Sequence, residues 1–272
     1  MDRGRRTDGQ LERLDAYYDA VPRPSADVED LGAFILFVAR AGWPYYARPS
    51  RSYAGPPATT EDVLAVRARQ RALDVPEAIE WVDEVTPGLV EPVSAAGLTV
   101  LRAPLQVLGT PLPVTPPDGI VVRLVDPDDP DLLKINTAVH LGFGTPGTAV
   151  GTVGAADRDA AAGAADPTSV HHLRERLRAG RTVTAVAYDE DGPLAAGSHQ
   201  PVGEVTEIVG VATLPTARRR GLGTAVTAAL VADARHRGIE TIFLSAGSED
   251  VARVYERVGF QRIATACIAS VS

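Results

Sequence analysis

The chain has 272 residues, 45% of them apolar, with a net charge of −8 and a pI near 5.2. That length fills two ordinary domains or one large one, and the apolar share is enough for a real core, which excludes wholesale disorder. The acidic balance excludes a general nucleic-acid binder, and the lone Cys267 excludes both an intrachain disulfide and a four-thiolate zinc site.

The opening MDRGRRTDGQLERLDAYYDA has no apolar stretch after its charges, so it is not a secretory signal. AFILFVA, the longest apolar run, is far too short to span a bilayer. A cytoplasmic protein without a membrane partner is expected. Residues 1–28 read as a polar segment, with one helix in DGQLERLDAYYDAVP and a linker in VPRPSADVED. AFILFVAR and WPYYARP read as paired strands. The aromatics between Trp43 and Pro49 fit hairpin packing better than the lining of a pocket. TTEDVLAVRARQRAL opens with threonines and an acidic first turn, a good helix start. EAIEWV is a short strand, PGLVEPVSAAG a helix closed by Gly97, and LTVLRAPLQVL a strand. Proline is dense between Gly109 and Gly119, which marks the boundary between a domain over 29–116 and one over 117–272.

In the second domain GIVVRLV is a strand and DPDLLKINTAVHLGF a helix. The stretch TPGTAVGTVGAADRDAAAGAADP has no periodicity and reads as a mobile loop; Gly144 to Asp166 would act as a lid. TSVHHLRERLRAG is a helix, and TVTAVAYDEDGPLAAGSHQPV is a hairpin around DEDG. After them come a strand (EVTEIVGVATL), a helix from Leu222, a strand (TIFLS), a helix (DVARVYERVG) and a last strand (FQRIATACIAS). The fold class is therefore mixed α/β, a mixed sheet with helices on its faces.

LPTARRRGLGTAV asks why Arg218, Arg219 and Arg220 precede a helix start. A helix N-terminus already carries unpaired N–H groups and about half a positive charge, so acidic residues would suit the helix better. The arrangement makes sense for an arriving anion, with Gly221 and Gly223 removing side chains so that it reaches the backbone. The dinucleotide fingerprint fails because its third glycine place is Val226, and no Gly-Lys-Ser/Thr phosphate loop is present.

Arg-x-x-Gly-x-Gly from Arg218 to Gly223 resembles the pyrophosphate loop of the GNAT superfamily of acyl-CoA-dependent N-acyltransferases. EIVGVATLPTARRRGLG looks like that family's fourth strand entering its coenzyme loop, and SEDVARVYERVGF like its later helix with Tyr-x-x-x-Gly-Phe. The resemblance covers about Gly119 to Ser270. It implies the GNAT fold and acetyl-CoA as co-substrate, with the acetyl group passed to a primary amine on a small molecule or peptide. The pantetheine arm would pair with the backbone of Val211, Ala212 and Thr213, where the family's fourth and fifth strands splay. Arg218, Arg219, Arg220, Gly221, Leu222, Gly223 and Thr224 would hold the pyrophosphate. Ser248 stands where the family commonly has an Asn that touches the pantetheine. Glu207 stands where several relatives carry the base that takes the amine proton, with Glu204 as a competing base. Tyr255 falls at the family's tyrosine, the acid for the departing thiolate. It also belongs to an apolar stripe with Val251, Val254 and Val258, which reads as core. No metal site is expected: His171 and His172 are adjacent and cannot face one ligand, and His140, His199 and His236 are scattered. A second reading is a non-catalytic acyl-CoA-binding or partner-binding protein that keeps the loop without turnover.

An internal repeat follows at an offset of 162 residues: Val82 falls on Leu244 (244 − 82), Gly97 on Gly259 and Thr60 on Leu222. At that offset Arg218–Gly223 meets PPATTE and Tyr255 meets Val93. The first domain thus reads as a smaller α/β domain, a truncated GNAT-like copy without a coenzyme site.

Overall fold

The computed structural model describes residues 2–42, 44–145 and 147–271, with the backbone alone over 2–8. Trp43, from the aromatic stretch, lies outside the described residues. The elements in chain order are α1 (Asp2–Ala20), β1 (Ala26–Leu31), β2 (Phe34–Ala39), β3 (Ala47–Pro49), α2 (Thr60–Ala72), β4 (Ala78–Val82), α3 (Val90–Ala95) and β5 (Thr99–Leu108). Then follow β6 (Val121–Leu124), α4 (Leu132–Gly144), α5 (Ala155–Ala164), α6 (His171–Arg178), β7 (Val183–Asp189), β8 (Gly192–Val202), β9 (Val205–Thr213), α7 (Leu222–His236), β10 (Thr241–Ser245), α8 (Glu249–Glu256) and β11 (Phe260–Ser270). They divide into two compact units, one running to Leu105 and resuming at Arg262, the other Gln106–Gln261.

In the first unit β1–β2 is an antiparallel hairpin, β2 pairs antiparallel with β3, β3 runs parallel to β4, and β4 pairs antiparallel with β11. Phe34, Leu36, Val63, Val66, Ile79, Trp81 and Val93 fill its core. The linker expected in VPRPSADVED is instead a short 3-10 turn and strand β1. Only Ala26 of that strand is buried and three of its six residues are acidic, so it has no apolar alternation to read; its pairing to β2 makes it a strand. Helix α2 starts as its threonines suggest. Thr59 accepts the Asp62 N–H while the Asp62 carboxylate accepts the Thr59 N–H at 2.8 Å, a reciprocal cap. Helix α1 docks through Leu14 and Tyr17, and its Asp15 takes the buried Arg48 guanidinium at 2.6 Å. Burial pushes the nearby Glu80 carboxyl up to about 7, with Arg48 opposing the shift.

In the second unit β6, β7, β8 and β9 form an antiparallel run and β10 joins parallel to β9, giving a mixed sheet. Alternation along β7 sends Ala185 and Ala187 into the cluster with Leu222, Val226 and Leu230 of α7. Val186 between them goes to the cluster with Ile135 of α4 and Leu177 of α6, so both sheet faces are covered. His199 of β8 is buried between Thr206 and Asp233 of α7, at 3.0 and 2.9 Å, and burial holds its imidazole below the usual histidine range.

The stretch read as a mobile loop holds helix α5 and ends where a 3-10 turn, Pro167–Val170, begins; that turn takes the first residues of the segment read as a helix, and α6 follows it. The alanines and glycines of the stretch carry no period, but one buried side chain decides the matter. Arg158 donates to the carbonyls of Pro193 at 2.7 Å and Asp191 at 2.6 Å, pinning α5 to the β7–β8 turn. Arg158→Met strands both carbonyls and removes the charge-assisted bonds, an expected loss of about 3 kcal/mol. Differential scanning calorimetry should then show Tm lower by roughly 6–12 °C, while a shift under about 2 °C would mean that α5 is not anchored there.

Candidate active site

Strand β9 pairs with β10 only over Val205–Glu207, ending at Phe243↔Glu207. Beyond that point β9 continues for six residues along β8 alone, so its other edge faces an opening. A bulge helps turn the strand. The β8–β9 register shifts between Ala196 and Ser198, opposite Gly210, whose φ of 64° is open to glycine and strained for side chains. The opening is a cleft of about 790 Å³.

The 3-10 turn Pro215–Ala217 leads from β9 to α7. Helix α7 begins at Gly221 with φ 84°, no side-chain cap and no acidic residue in its first turn. Arg219 also has a left-handed backbone, φ 66°, which costs a non-glycine residue about 1 kcal/mol. Strain of this kind gathers at binding loops, and left-handed residues in a turn are what a backbone anion nest uses. A Cβ built on Gly223 would come within 3.8 Å of Thr213 Oγ1 and 3.9 Å of Val211 Cγ1, so that glycine keeps the space beside β9 clear. The positive helix end therefore opens to the cleft with its N–H groups uncapped.

The cleft gathers Glu207, Val211, Ala212, Thr213, Arg218, Arg219, Gly221, Leu222, Gly223, Thr224 and Tyr255. Tyr255 is 8% exposed, packs edge-on against Phe260 at 6.2 Å, and its hydroxyl has no hydrogen-bond partner among the described residues. Burial pushes its phenol up to about 12. It is thus both a core aromatic and a wall of the cleft. Glu204 sits exposed in the β8–β9 turn and does not line the cleft; its carbonyl accepts the N–H groups of Glu240 and Thr241.

Residues 156–260 match the sequence pattern of the Acetyltransferase (GNAT) family. This segment is a GNAT acetyltransferase domain. The mixed sheet flanked by helices is the GNAT fold, and the domain is an acyltransferase of a family that uses acetyl-CoA. Solved structures align over nearly the whole chain. A GCN5-related N-acetyltransferase from Kribbella flavida is 20% identical, with 96% of this chain and 95% of that chain covered and a TM-score of 0.66. A GCN5-related N-acetyltransferase from Sphaerobacter thermophilus is 17% identical over 88% of this chain and 80% of that one, TM-score 0.56. A tandem GNAT protein from the clavulanic acid biosynthesis pathway is 14% identical over 92% and 84%, TM-score 0.56. At these identities the likeness is one of fold. No curated protein matches the sequence.

Two expected residues of the GNAT domain do not themselves line the cleft, although neighbours of each in the chain do. Ser248 caps α8, its hydroxyl accepting the Val251 N–H at 3.3 Å, and Arg220 lies 3.6 Å from Asp189 at the end of β7. Arg218 lines the cleft but its guanidinium donates to three backbone carbonyls. Thr145, Gly147 and Thr148, inside the stretch expected to lie over the acceptor side as a lid, line the cleft; sequence reasoning missed Phe143 and, in and just after α8, Asp250, Arg253 and Arg257, which line it too. The α8 residues had a signal. Positions 250, 253 and 257 share one helix stripe, next to the apolar one that carries Val254 and Tyr255. Among the described residues no group of three or more His, Cys, Asp or Glu gathers to hold a metal, and no helix is long and apolar enough to cross a membrane.

Proposed function

We propose that this chain transfers the acetyl group of acetyl-CoA to a primary amine on a small molecule or peptide, by direct attack on the thioester. The observation that carries this reading is the uncapped α7 N-terminus opening on a cleft that also holds a carboxylate, Glu207, and a protonated phenol, Tyr255. Acetyl-CoA would lie with its pyrophosphate on the N–H groups of Gly221–Thr224 and the Arg219 guanidinium. Its pantetheine would lie along the free edge of Val211–Thr213, as an added strand. Glu207 takes a proton from the ammonium, since only the neutral amine has a lone pair. The nitrogen attacks the carbonyl carbon, the C–S bond breaks, and Tyr255 gives its proton to the leaving sulfur. The nitrogen sheds its second proton to solvent as the tetrahedral adduct collapses, Glu207 releases its proton to solvent and Tyr255 regains one, so the products are an acetamide, free coenzyme A and one net proton.

Tyr255→Phe tests the acid. The expected result is a fall in kcat of about 10–10²-fold, with acetyl-CoA affinity held, measured as release of the coenzyme thiol. With its phenol pushed up to about 12, Tyr255 adds no alkaline fall to the wild-type rate around pH 10, where an ordinary phenol titrates. An unchanged kcat would remove Tyr255 from the chemistry.

We also read the first unit as a truncated GNAT-like copy without a coenzyme site. The two N-cap residues, Thr59 and Gly221, stand 162 residues apart (221 − 59). Gly97 and Gly259, at the same spacing, both have left-handed backbones, φ 84° and 108°. At the first N-cap the helix dipole is answered from within, by Thr59, Asp62 and Glu61. A carboxylate there repels phosphate, so one coenzyme per chain is expected.

A further inference from the structure

Arg218 opens the arginine-glycine loop, yet three of the five N–H donors of its guanidinium are used inside the protein. One terminal nitrogen donates to the carbonyls of Gly142 at 2.8 Å and Thr145 at 2.6 Å, which uses both of its hydrogens. The other donates to the Ala149 carbonyl at 3.1 Å. Gly142 lies in the last turn of α4, and Thr145 follows it. A helix end leaves its carbonyls unpaired and partly negative, and α4 has no basic residue of its own in that turn. Arg218 therefore caps α4 from 73 to 76 residues away in sequence.

The same segment is held from two more places. Gly151 N–H donates to the Pro215 carbonyl and Thr216 N–H to the Val153 carbonyl, both at 3.1 Å. At the other end Gly142 lies hard against β9: a Cβ there would sit 2.9 Å from the Ala212 Cβ and 3.1 Å from the Thr213 oxygen. Thr145 and residues 147–153 thus form a fixed wall, built onto β9 and the turn before α7. Into the cleft it presents Thr145 and Thr148, alongside the ring of Phe143, which is 59% exposed.

We infer that Arg218 is a positioning residue, which holds this wall so that the amine acceptor meets Glu207 in the right pose, and that its side chain is not a phosphate ligand. The inference rests on the acetyl-transfer reading for its consequence in turnover; the clamp itself stands on geometry alone.

The test uses the full chain with Arg218→Met, Arg218→Lys and Gly142→Ala. Acetyl-CoA affinity is measured by calorimetry, backbone amide exchange over residues 142–151 by mass spectrometry, and kinetics with a polyamine, an aminoglycoside and an unblocked tripeptide as amines. In Arg218→Met, exchange in the segment should rise about tenfold or more while the acetyl-CoA Kd stays within about threefold. The KM for the amine should rise about tenfold with a smaller change in kcat, and lysine, with three donors, should restore part of both. Gly142→Ala pushes the wall from its β9 side and should raise exchange in the segment and the KM for the amine as well; its Cβ also presses on Ala212 and Thr213, so acetyl-CoA affinity is read only in the Arg218 variants. Acetyl-CoA affinity weakened about thirtyfold with exchange unchanged would make Arg218 a phosphate ligand and overturn the inference. Unchanged exchange and unchanged affinity would overturn it too. A wild type that binds no acetyl-CoA would sink the acetyl-transfer reading instead, and the exchange result would still decide for or against the clamp.

Discussion

Glu207→Gln lowers kcat by about 10²–10³-fold and leaves acetyl-CoA affinity within about threefold. An amine at neutral pH is mostly ammonium, and nothing happens at the thioester until that proton leaves. A carboxamide keeps the shape of Glu207 and cannot take the proton. The residue sits where β9 and β10 part, at the last pair of their ladder, so its position is fixed by sheet register and not by a loop. It lines the same cleft as the α7 start and Tyr255. The fold should survive the substitution, because the side chain is only half-buried and glutamine fits the strand. Raising the pH should restore part of the rate in the variant, since solvent then supplies neutral amine. Glu204→Gln is the control: exposed in the turn and off the cleft, it should change kcat less than about twofold. The opposite ranking of the two variants would move the base to Glu204.

The second large effect is at the coenzyme loop. Arg219→Glu with Gly221→Asp should weaken acetyl-CoA binding by about 10³-fold or more. Each lost charge-assisted bond is worth roughly 1.5–3 kcal/mol, and two carboxylates then face the phosphates. The fold should tolerate the change. Aspartate is a good helix cap and answers the α7 dipole that the wild type leaves open. Its backbone must take the left-handed conformation of Gly221, where aspartate is among the better side chains, at a cost of about 1 kcal/mol. The double variant should therefore melt within a few degrees of the wild type when both are free. Saturating acetyl-CoA, at about 100 times Kd, stabilises the wild type by roughly 2.7 kcal/mol and should leave the variant unmoved. An equal rise in Tm for both proteins would place the coenzyme elsewhere.

Much of this was legible in the sequence because its causes are local. Helix α7 has apolar residues at helical spacing, and Leu222, Val226 and Leu230 are indeed its buried face. The charge before it conflicts with the helix dipole, and that conflict pointed to an anion. Strand–helix–strand order gave the mixed sheet. The losses have physical reasons. Strand β1 is an acidic edge strand whose order comes from its partner, so no pattern marks it. Helix α5 is built of alanine and glycine around one buried arginine, and the carbonyls that hold Arg158 lie 33 and 35 residues downstream. Arg218 reads as phosphate-binding in any local window; its three carbonyl partners come from α4 and the turn after it. Ser248 is a case of two jobs for one side chain. A serine that opens a helix is first a cap: its oxygen accepts the Val251 N–H, and its hydroxyl hydrogen is left to donate. The cleft-lining residues after α4 fell in a stretch expected to be a mobile lid because it carries no periodicity; packing against β9 and the Pro215–Ala217 turn is what holds them at the site.

The most direct test of the account is a calorimetric titration of acetyl-CoA into the wild-type chain and into the Arg219→Glu/Gly221→Asp variant. The account predicts one site per chain, with a Kd of about micromolar order, and no heat from the variant. A silent wild type would contradict the account outright. Two sites per chain would contradict the reading of the first unit, and wild-type-like binding by the variant would contradict the α7 N-terminus as the coenzyme's seat.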